Sequence, residues 1–383
     1  MSGTGMQSSG NTGVGSYALY SLTSGYNNVA FGQNSLVNTT SGNNNAAFGN
    51  GALSSNLSGY NNTAFGNQAL QSNTASQNSA FGTQSLYANI DGTYNSAFGL
   101  SSLMANTSGA ANSSFGSQAL RNNTTGGSNC SFGENSLYTN IIGIGNSAFG
   151  LQALYLNTGS GNSAFGQQAL NGTTTGENNT AIGTQAGTII SIGSNNSAIG
   201  YSAQVPDGAA SNQVRIGNTA ITYAGVQVAW TITSDRKLKS NILTSNLGLD
   251  FISKLRPVSY FRKNDESQKV EYGFIAQEVE EALKDNAVTN NGMISKDVEG
   301  TYSLRYNDFI APMVKAIQEL KEENEKFKKE KDQQITKLEN ENSKLAEENL
   351  RLQKDISVIG ASITEQVQKE VRAMLLKVAD AGD

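Results

Sequence analysis

The sequence predicts a mostly β N-terminal repeat solenoid, then a small α+β domain, and then a long C-terminal coiled coil. Three observations lead to this fold class. A motif of the form N-x-A-F-G recurs about every 17 residues through the first 204 residues. Nearly all of the charged residues lie after residue 204. The last part of the chain carries a heptad pattern of apolar residues.

Each repeat is marked by one large apolar residue, with Asn three positions before it and Gly directly after it. The spacing is 17 residues and falls to 16 twice. A small residue and a Leu follow four and five positions later, as in Ala52-Leu53. Because Gly and Asn disfavour helix and accept positive φ at low cost, each unit is expected to form two short strands separated by turns. The marker residues are Val14, Phe31, Phe48, Phe65, Phe81, Phe98, Phe115, Phe132, Phe149, Phe165, Ile182 and Ile199.

Stacking of such units would align identical side chains along a fibre. Phe would lie on Phe, Leu on Leu, and Asn on Asn, where the amides can hydrogen-bond along the stack. One thin coil buries little surface, so we expect three chains to share a core as a homotrimer. The alternative is a disordered low-complexity linker, which would not require registration over twelve units.

The last repeats resemble the head of trimeric autotransporter adhesins, whose repeats have an N-S-x-A-I-G form. The segments that match best are "NNTAIGTQA" at 178–186 and "NNSAIGYSA" at 195–203. This resemblance implies a trimeric, left-handed, β-roll-like fold that binds host surfaces. The repeat in this chain is longer than the usual unit of that family.

Composition and charge exclude several classes of chemistry. The chain has no His and a single cysteine, Cys130, so we expect no His-based catalysis, no internal disulfide, no metal and no cofactor. The net charge of −5 gives no general argument for nucleic acid as a partner. No apolar run of about 18 residues and no Sec-type leader is visible, so we predict neither a membrane span nor a signal peptide.

The expected domain boundaries follow the changes in composition. At the junction, the runs "QVRIGNTAITY" and "VQVAWTIT" are predicted to be strands that close the open end of the stack, with Trp230 as their anchor. The expected segments are the repeat solenoid (1–204), a β cap (205–233), a charged α+β domain (234–306), a coiled coil (307–359) and a C-terminal helix (360–383).

A heptad stripe predicts a coiled coil from about Asn307. Its two phases are joined by a stutter between Asn324 and Ile335, which are 11 residues apart. Asn at three core positions would help to fix register and strand number at a cost in stability. Gly360 is expected to interrupt the helix. The core positions are Ile310, Met313, Ile317, Leu320, Asn324 and Phe327, then Ile335, Leu338, Asn342, Leu345, Asn349, Leu352, Ile356 and Ile359.

Three motifs in the charged part carry a second resemblance. They are S-D-x-x-x-K at 234–239, L-R-P-V-x-Y at 255–260 and G-F-I-A-Q-E-V at 273–279. In this order, over about residues 230–360, they resemble the intramolecular chaperone domain of phage tail spikes and fibres, which also occurs in myelin regulatory factor. Members of that family are trimeric, drive assembly of an N-terminal fibre and then cut themselves off.

The resemblance implies a Ser–Lys self-cleaving site, with Ser234 as nucleophile, Lys239 as base and Thr233–Ser234 as the scissile bond. Chemistry supports this pair, because a Ser hydroxyl needs a base to remove its proton and the chain has no His. A Lys can serve when it is neutral, which burial or neighbouring cations such as Arg236 and Lys237 would favour. The alternative interpretation of these residues is a solvated basic turn. The predicted activity is a single-turnover serine endopeptidase with no external substrate.

Together these observations favour a trimeric viral or phage fibre, located in the virion, that attaches to a host-surface receptor or glycan. Its chaperone domain would drive assembly and cleave itself off before Ser234. Alternatives are a bacterial surface adhesin at the cell surface and a trimerisation domain that does not cleave. A membrane-released transcription factor would need a DNA-binding domain and a transmembrane helix. A polysaccharide-degrading spike would need paired carboxylates, whereas Asp91, Glu134 and Glu177 lie in separate repeats.

Overall fold

The computed structural model describes residues 9–379 and confirms the predicted fold class. It contains a β-solenoid, a small α+β segment and a long C-terminal helix. The chain divides into two compact units. The first unit holds the chain up to Thr231 with Tyr260–Glu271 and Lys296–Thr301, and the second holds Ile232–Ser259, Tyr272–Ser295 and the chain from Tyr302 onward.

Within the described residues, the solenoid is one parallel sheet of thirteen three-residue strands stacked in sequence order. Equivalent residues lie opposite each other, as Phe98 does to Phe115. The register continues through the shorter repeats, where Phe65 lies opposite Phe81. The strands are Thr12–Val14 (β1), Val29–Phe31 (β2), Ala46–Phe48 (β3), Thr63–Phe65 (β4), Ser79–Phe81 (β5), Ser96–Phe98 (β6), Ser113–Phe115 (β7), Cys130–Phe132 (β8), Ser147–Phe149 (β9), Ser163–Phe165 (β10), Thr180–Ile182 (β11), Ser197–Ile199 (β12) and Val214–Ile216 (β13).

Each coil contains one strand, so the prediction of two strands per repeat is wrong. The second apolar piece is a turn, in which Leu103 has a φ of 51°. Hydrogen bonding from coil to coil continues there, because the Leu103 amide donates to the Ala119 carbonyl at 3.0 Å. A left-handed conformation costs a non-Gly residue about 1–2 kcal/mol. Burial of a Leu side chain contributes about 1.5–3 kcal/mol, which is enough to hold the turn.

The narrow core of each coil contains small, aliphatic and amide side chains. In the coil that begins at Asn95, the side chains of Ala97, Leu103 and Asn106 are fully buried. Asn stacks on Asn as the repeat predicts. The side-chain oxygen of Asn95 accepts hydrogen bonds from the backbone amide and the side-chain amide of Asn112, at 3.0 and 3.2 Å. The buried amides therefore satisfy backbone and side-chain groups of neighbouring coils.

The Phe side chains stack as predicted, but on the outer surface of the coil. The ring of Phe98 is half-buried and lies 4.6 Å from the rings of Phe81 and Phe115. The next residue, Gly99, has a φ of 133°, and a Cβ there would lie 2.4 Å from the carbonyl oxygen of Gly116. This close approach explains why Gly follows the marker residue in every repeat.

The junction differs from its prediction. Val214–Ile216 continues the solenoid sheet as its last strand, and residues 217–233 form no strand. Trp230 is 74% exposed and does not act as an anchor within one chain. An extended segment needs a partner strand for its backbone groups, and the described chain supplies none here.

The second part of the chain builds a small core around the start of a long helix. Buried residues of this core include Phe251, Val279, Leu283 and Phe309. Two strand pairs flank it, β14 with β15 and β16 with β17. The elements in order are Leu249–Lys254 (α1), Val258–Tyr260 (β14), Glu271–Gly273 (β15), Ala276–Asp285 (α2), Ile294–Lys296 (β16), Tyr302–Leu304 (β17) and Ile310–Ala379 (α3).

Helix α3 has 70 residues and follows a 3₁₀ turn at Tyr306–Phe309. It continues through Gly360, so the predicted interruption is wrong; Gly within a helix costs only about 1 kcal/mol. Residues at the predicted core positions are exposed in one chain, for example Ile335 at 51% and Ile356 at 68%. None of the helices in residues 9–379 has the length and apolar character needed to cross a membrane.

Candidate active site

A short turn brings the two predicted catalytic residues together. Asp235 precedes the 3₁₀ turn Arg236–Leu238, and its carboxylate accepts a 3.0 Å hydrogen bond from the Lys237 amide. This is the usual role of Asp at the start of a helical turn. The turn folds the chain back so that the Lys239 amine donates a hydrogen bond of 2.6 Å to the Ser234 hydroxyl.

The two lysines of the turn have different partners. Lys237 forms an ion pair with Asp235, with 3.2 Å between the amine and the carboxylate. Lys239 is directed to Ser234. The charge of Lys237 is therefore partly balanced within the turn. Arg236 is also close to Lys239 in sequence, and no ion pair of Arg236 is found among the described residues.

Both members of the pair are exposed in a single chain. Ser234 and Lys239 lie in a segment whose residues are all exposed, from Thr231 to Ser240. A Ser hydroxyl becomes a nucleophile when a neighbouring base takes its proton. Burial favours a neutral amine, and one chain alone does not supply that burial.

The second and third motifs are joined by an ion pair. In the second motif, the Arg256 Nε donates to Oε2 of Glu278 at 3.1 Å, and its Nη2 donates to the other carboxylate oxygen. Glu278 belongs to the third motif and lies in the first turn of α2. This two-point contact fixes the start of β14 against α2.

The third motif contacts the residues that lead into α3. The backbone amide of Phe274 donates to the Tyr306 hydroxyl at 3.1 Å, and the Phe274 ring lies 5.3 Å from the Phe309 ring. Further along, α2 buries Val279 in the same core. The motif therefore connects the small domain to the predicted coiled coil.

A contact that the motifs did not indicate joins α1 to α3. The carboxylate of Glu319 accepts a 2.6 Å hydrogen bond from the Leu249 amide. That backbone hydrogen bond is the main cause that lowers the pKa of Glu319, with a smaller contribution from Lys315. The one sequence feature related to this contact is Gly248, where a Cβ would lie against the Glu319 carboxylate.

The Ser234–Lys239 pair has the composition needed for acyl transfer. It places a nucleophile within hydrogen-bonding distance of an amine, which is the arrangement by which a base activates a Ser hydroxyl. Over residues 9–379, no cluster of three or more acidic, Cys or His side chains could hold a metal ion.

Comparison with known families locates a domain at this site. A family model described as the chaperone of endosialidase matches residues 234–288. The match begins at Ser234 and contains all three motifs, although it is shorter than the 230–360 region that they suggested. No curated protein and no solved structure matched the chain. The chain therefore joins an N-terminal β-solenoid to a segment that is similar to the chaperone of endosialidase family, which is consistent with a phage tail fibre.

Proposed function

We propose that this chain is the homotrimeric fibre or spike of a phage or virus, and that its solenoid attaches the virion to a host surface. The chaperone domain directs assembly of the trimer and then cleaves itself off before Ser234. The observation that carries the proposal is the 2.6 Å hydrogen bond between Lys239 and Ser234 at the first residue of the family match.

Two exposed apolar surfaces support a trimer. The heptad stripe of α3 is exposed along one chain, as at Ile335 and Leu345, and such a stripe is normally covered by parallel partner helices. The stacked Phe rings of the solenoid form a second apolar column, with Phe31 and Phe165 about 40% exposed. Contiguous apolar surfaces of this length are typical of interfaces.

Cleavage follows from the position of Ser234 directly after the scissile bond. The Lys239 amine, once neutral, removes the hydroxyl proton, and Ser234 Oγ adds to the carbonyl carbon of Thr233. The C–N bond breaks as the Ser234 nitrogen takes up the proton, which leaves Thr233 esterified to Ser234. Water hydrolyses the ester, giving a Thr233 carboxylate and a free Ser234 amine.

Exposure of the site in one chain sets the order of events. Lys239 is exposed in one chain, so it becomes a competent base only when partner chains bury it. Assembly therefore precedes cleavage. This order matters because near-identical coils could pair one repeat out of register at little cost, whereas the Asn residues in the heptads specify one register. After release, the stalk is held by a kinetic barrier.

The proposal is tested on a denaturing gel of the full chain after expression. The parent should appear as two fragments, whereas Ser234→Ala and Lys239→Ala should each remain intact yet trimeric. Lys237→Ala is the matched control, because its amine pairs with Asp235, and it should still be cleaved. Equal processing of all four chains, or an intact parent under native conditions, would leave a trimerisation domain that does not cleave.

A further inference from the structure

One side of the solenoid carries a patch that the repeat does not require. The position directly after the core Leu is half-buried and varies from coil to coil, as at Ser54, Gln71, Tyr87 and Met104. In three successive coils this position holds Arg121, Tyr138 and Tyr155, and Leu156 follows with 42% of its surface exposed. These four residues are called the Arg–Tyr patch: Arg121, Tyr138, Tyr155 and Leu156.

The patch is held in a defined geometry. Nη1 of Arg121 donates a 3.0 Å hydrogen bond to the Tyr138 hydroxyl, and the guanidinium carbon lies 5.8 Å from the centre of the Tyr138 ring. The rings of Tyr138 and Tyr155 stack 5.2 Å apart, with 11° between their planes. The cation and the two rings therefore form a rigid ladder, which loses little conformational freedom when a ligand binds.

Arg121 is unusual in its surroundings. It is the only Lys or Arg in the first 214 residues of the sequence. Its Nε is buried and has no hydrogen-bond partner among the described residues. Most buried donors have a hydrogen-bond partner, and among the described residues this Nε is one of three buried side-chain atoms without one, with Asn56 Oδ1 and Gln71 Oε1. The single positive charge of the coils before β13 thus lies beside a stacked Tyr pair.

The size and chemistry of the patch favour a small anionic ligand. Three coils span about 10 Å along the stack at a strand spacing of about 4.8 Å. A patch of this length is too small for a stable protein interface, which buries about 800 Å² on each partner. A planar guanidinium matches a carboxylate. The edges of the Tyr rings and Leu156 offer an apolar surface on which a sugar ring can pack.

We infer that the Arg–Tyr patch binds a saccharide that contains hexuronic acid residues. The sugar carboxylate accepts hydrogen bonds from Arg121, and the ring packs against Tyr155 and Leu156. This inference rests on the proposed attachment role and gives it a location and a ligand class.

The test is calorimetric titration of the assembled full chain with oligogalacturonate and with its methyl ester, which has the same shape but no charge. The parent should bind the acid, and the ester should bind at least tenfold more weakly. Arg121→Gln and Tyr155→Leu should each weaken binding of the acid at least tenfold while the trimer and its melting temperature are retained. Tyr201→Leu is the control, because Tyr201 is an exposed Tyr in another coil, and it should bind like the parent.

Two results would overturn the inference. One is a parent trimer that does not bind oligogalacturonate at millimolar concentration. The other is binding that Arg121→Gln leaves unchanged, which would place attachment elsewhere on the solenoid. Neither result bears on self-cleavage, because fragments on a denaturing gel report that step independently of any saccharide.

Discussion

The carboxylate of Glu319, in the third turn of α3, accepts a 2.6 Å hydrogen bond from the backbone amide of Leu249, the first residue of α1. Amides in the first turn of a helix have no partner within the helix. A carboxylate at this end also interacts favourably with the helix dipole. Because α1 has only six residues, this contact from α3 contributes to holding it in place.

The Glu319 contact predicts a loss of protection at acid pH. The hydrogen bond lowers the pKa of Glu319, so its contribution is present above the ordinary Glu pKa of about 4.3 and is lost as pH falls through the lower folded value. The protection factor for hydrogen exchange, which corrects for the intrinsic effect of pH on the exchange rate, should therefore decrease in a peptide covering residues 245–255 as the carboxyl is protonated. Glu319→Gln retains an acceptor but does not titrate, and should remove most of this pH dependence. An unchanged pH profile in Glu319→Gln would contradict the prediction.

Phe98→Ala is expected to weaken the solenoid locally. The substitution removes two stacked ring pairs, with Phe81 and Phe115, each worth about 0.5–1.5 kcal/mol. Since repeats contact mainly their neighbours, faster hydrogen exchange should be confined to the adjacent coils. Phe165→Ala, whose ring stacks on Phe149 at the end of the column, should cost about half as much. Loss of protection across the whole solenoid would argue against independent coils.

Asn112→Ala is expected to cost more than removal of an exposed Asn. The buried amide of Asn112 donates to the Gly126 carbonyl at 2.9 Å, and its oxygen accepts from the Asn129 backbone amide at 3.0 Å. An unsatisfied buried group costs about 1–3 kcal/mol. Thermal unfolding should show a clear decrease for Asn112→Ala, and almost none for Asn67→Ala, which alters an exposed side chain. Equal effects would mean that the buried Asn column is not a source of stability.

The exposed stripe of α3 predicts a trimer that depends on its apolar positions. Sedimentation equilibrium of the parent should give three chains at micromolar concentration. Ile335→Asp introduces a charge at a predicted core position and should weaken association strongly. Lys344→Asp, outside the stripe, should not. A parent chain that stays monomeric at micromolar concentration would refute the homotrimer.

The sequence alone predicts the stacking of the repeats because each repeat imposes the same local requirement. Asn112, Phe98 and Gly99 each have one structural role that recurs in every coil, so periodicity reveals their alignment. It does not reveal the conformation of Leu103, whose positive φ is held by burial and contradicts the preference of an isolated residue. The sequence therefore predicts a second strand where the chain forms a turn.

Contacts between residues that lie far apart in the sequence are harder to predict from the sequence than the repeats. The Ser234–Lys239 pair is expected only from the family resemblance that three motifs carry together, because residues 234–239 alone are equally typical of a solvated basic turn. The contact of Glu319 with Leu249 joins residues 70 positions apart, and no periodic pattern marks it. Trp230 lies in a segment whose alternation indicates a strand, but residues 9–379 of one chain provide no partner strand, so the segment remains exposed.

The proposed self-cleavage by the Ser234–Lys239 pair would leave two defined fragments. The most direct measurement is the intact mass, with N-terminal sequencing, of the fragments from purified full-length chain that has been kept free of added protease. We predict a C-terminal fragment that begins at Ser234 with a free amine, a stalk that ends at Thr233, and neither fragment from Ser234→Ala. A fragment beginning at any other residue, or the same fragments from Ser234→Ala, would contradict it.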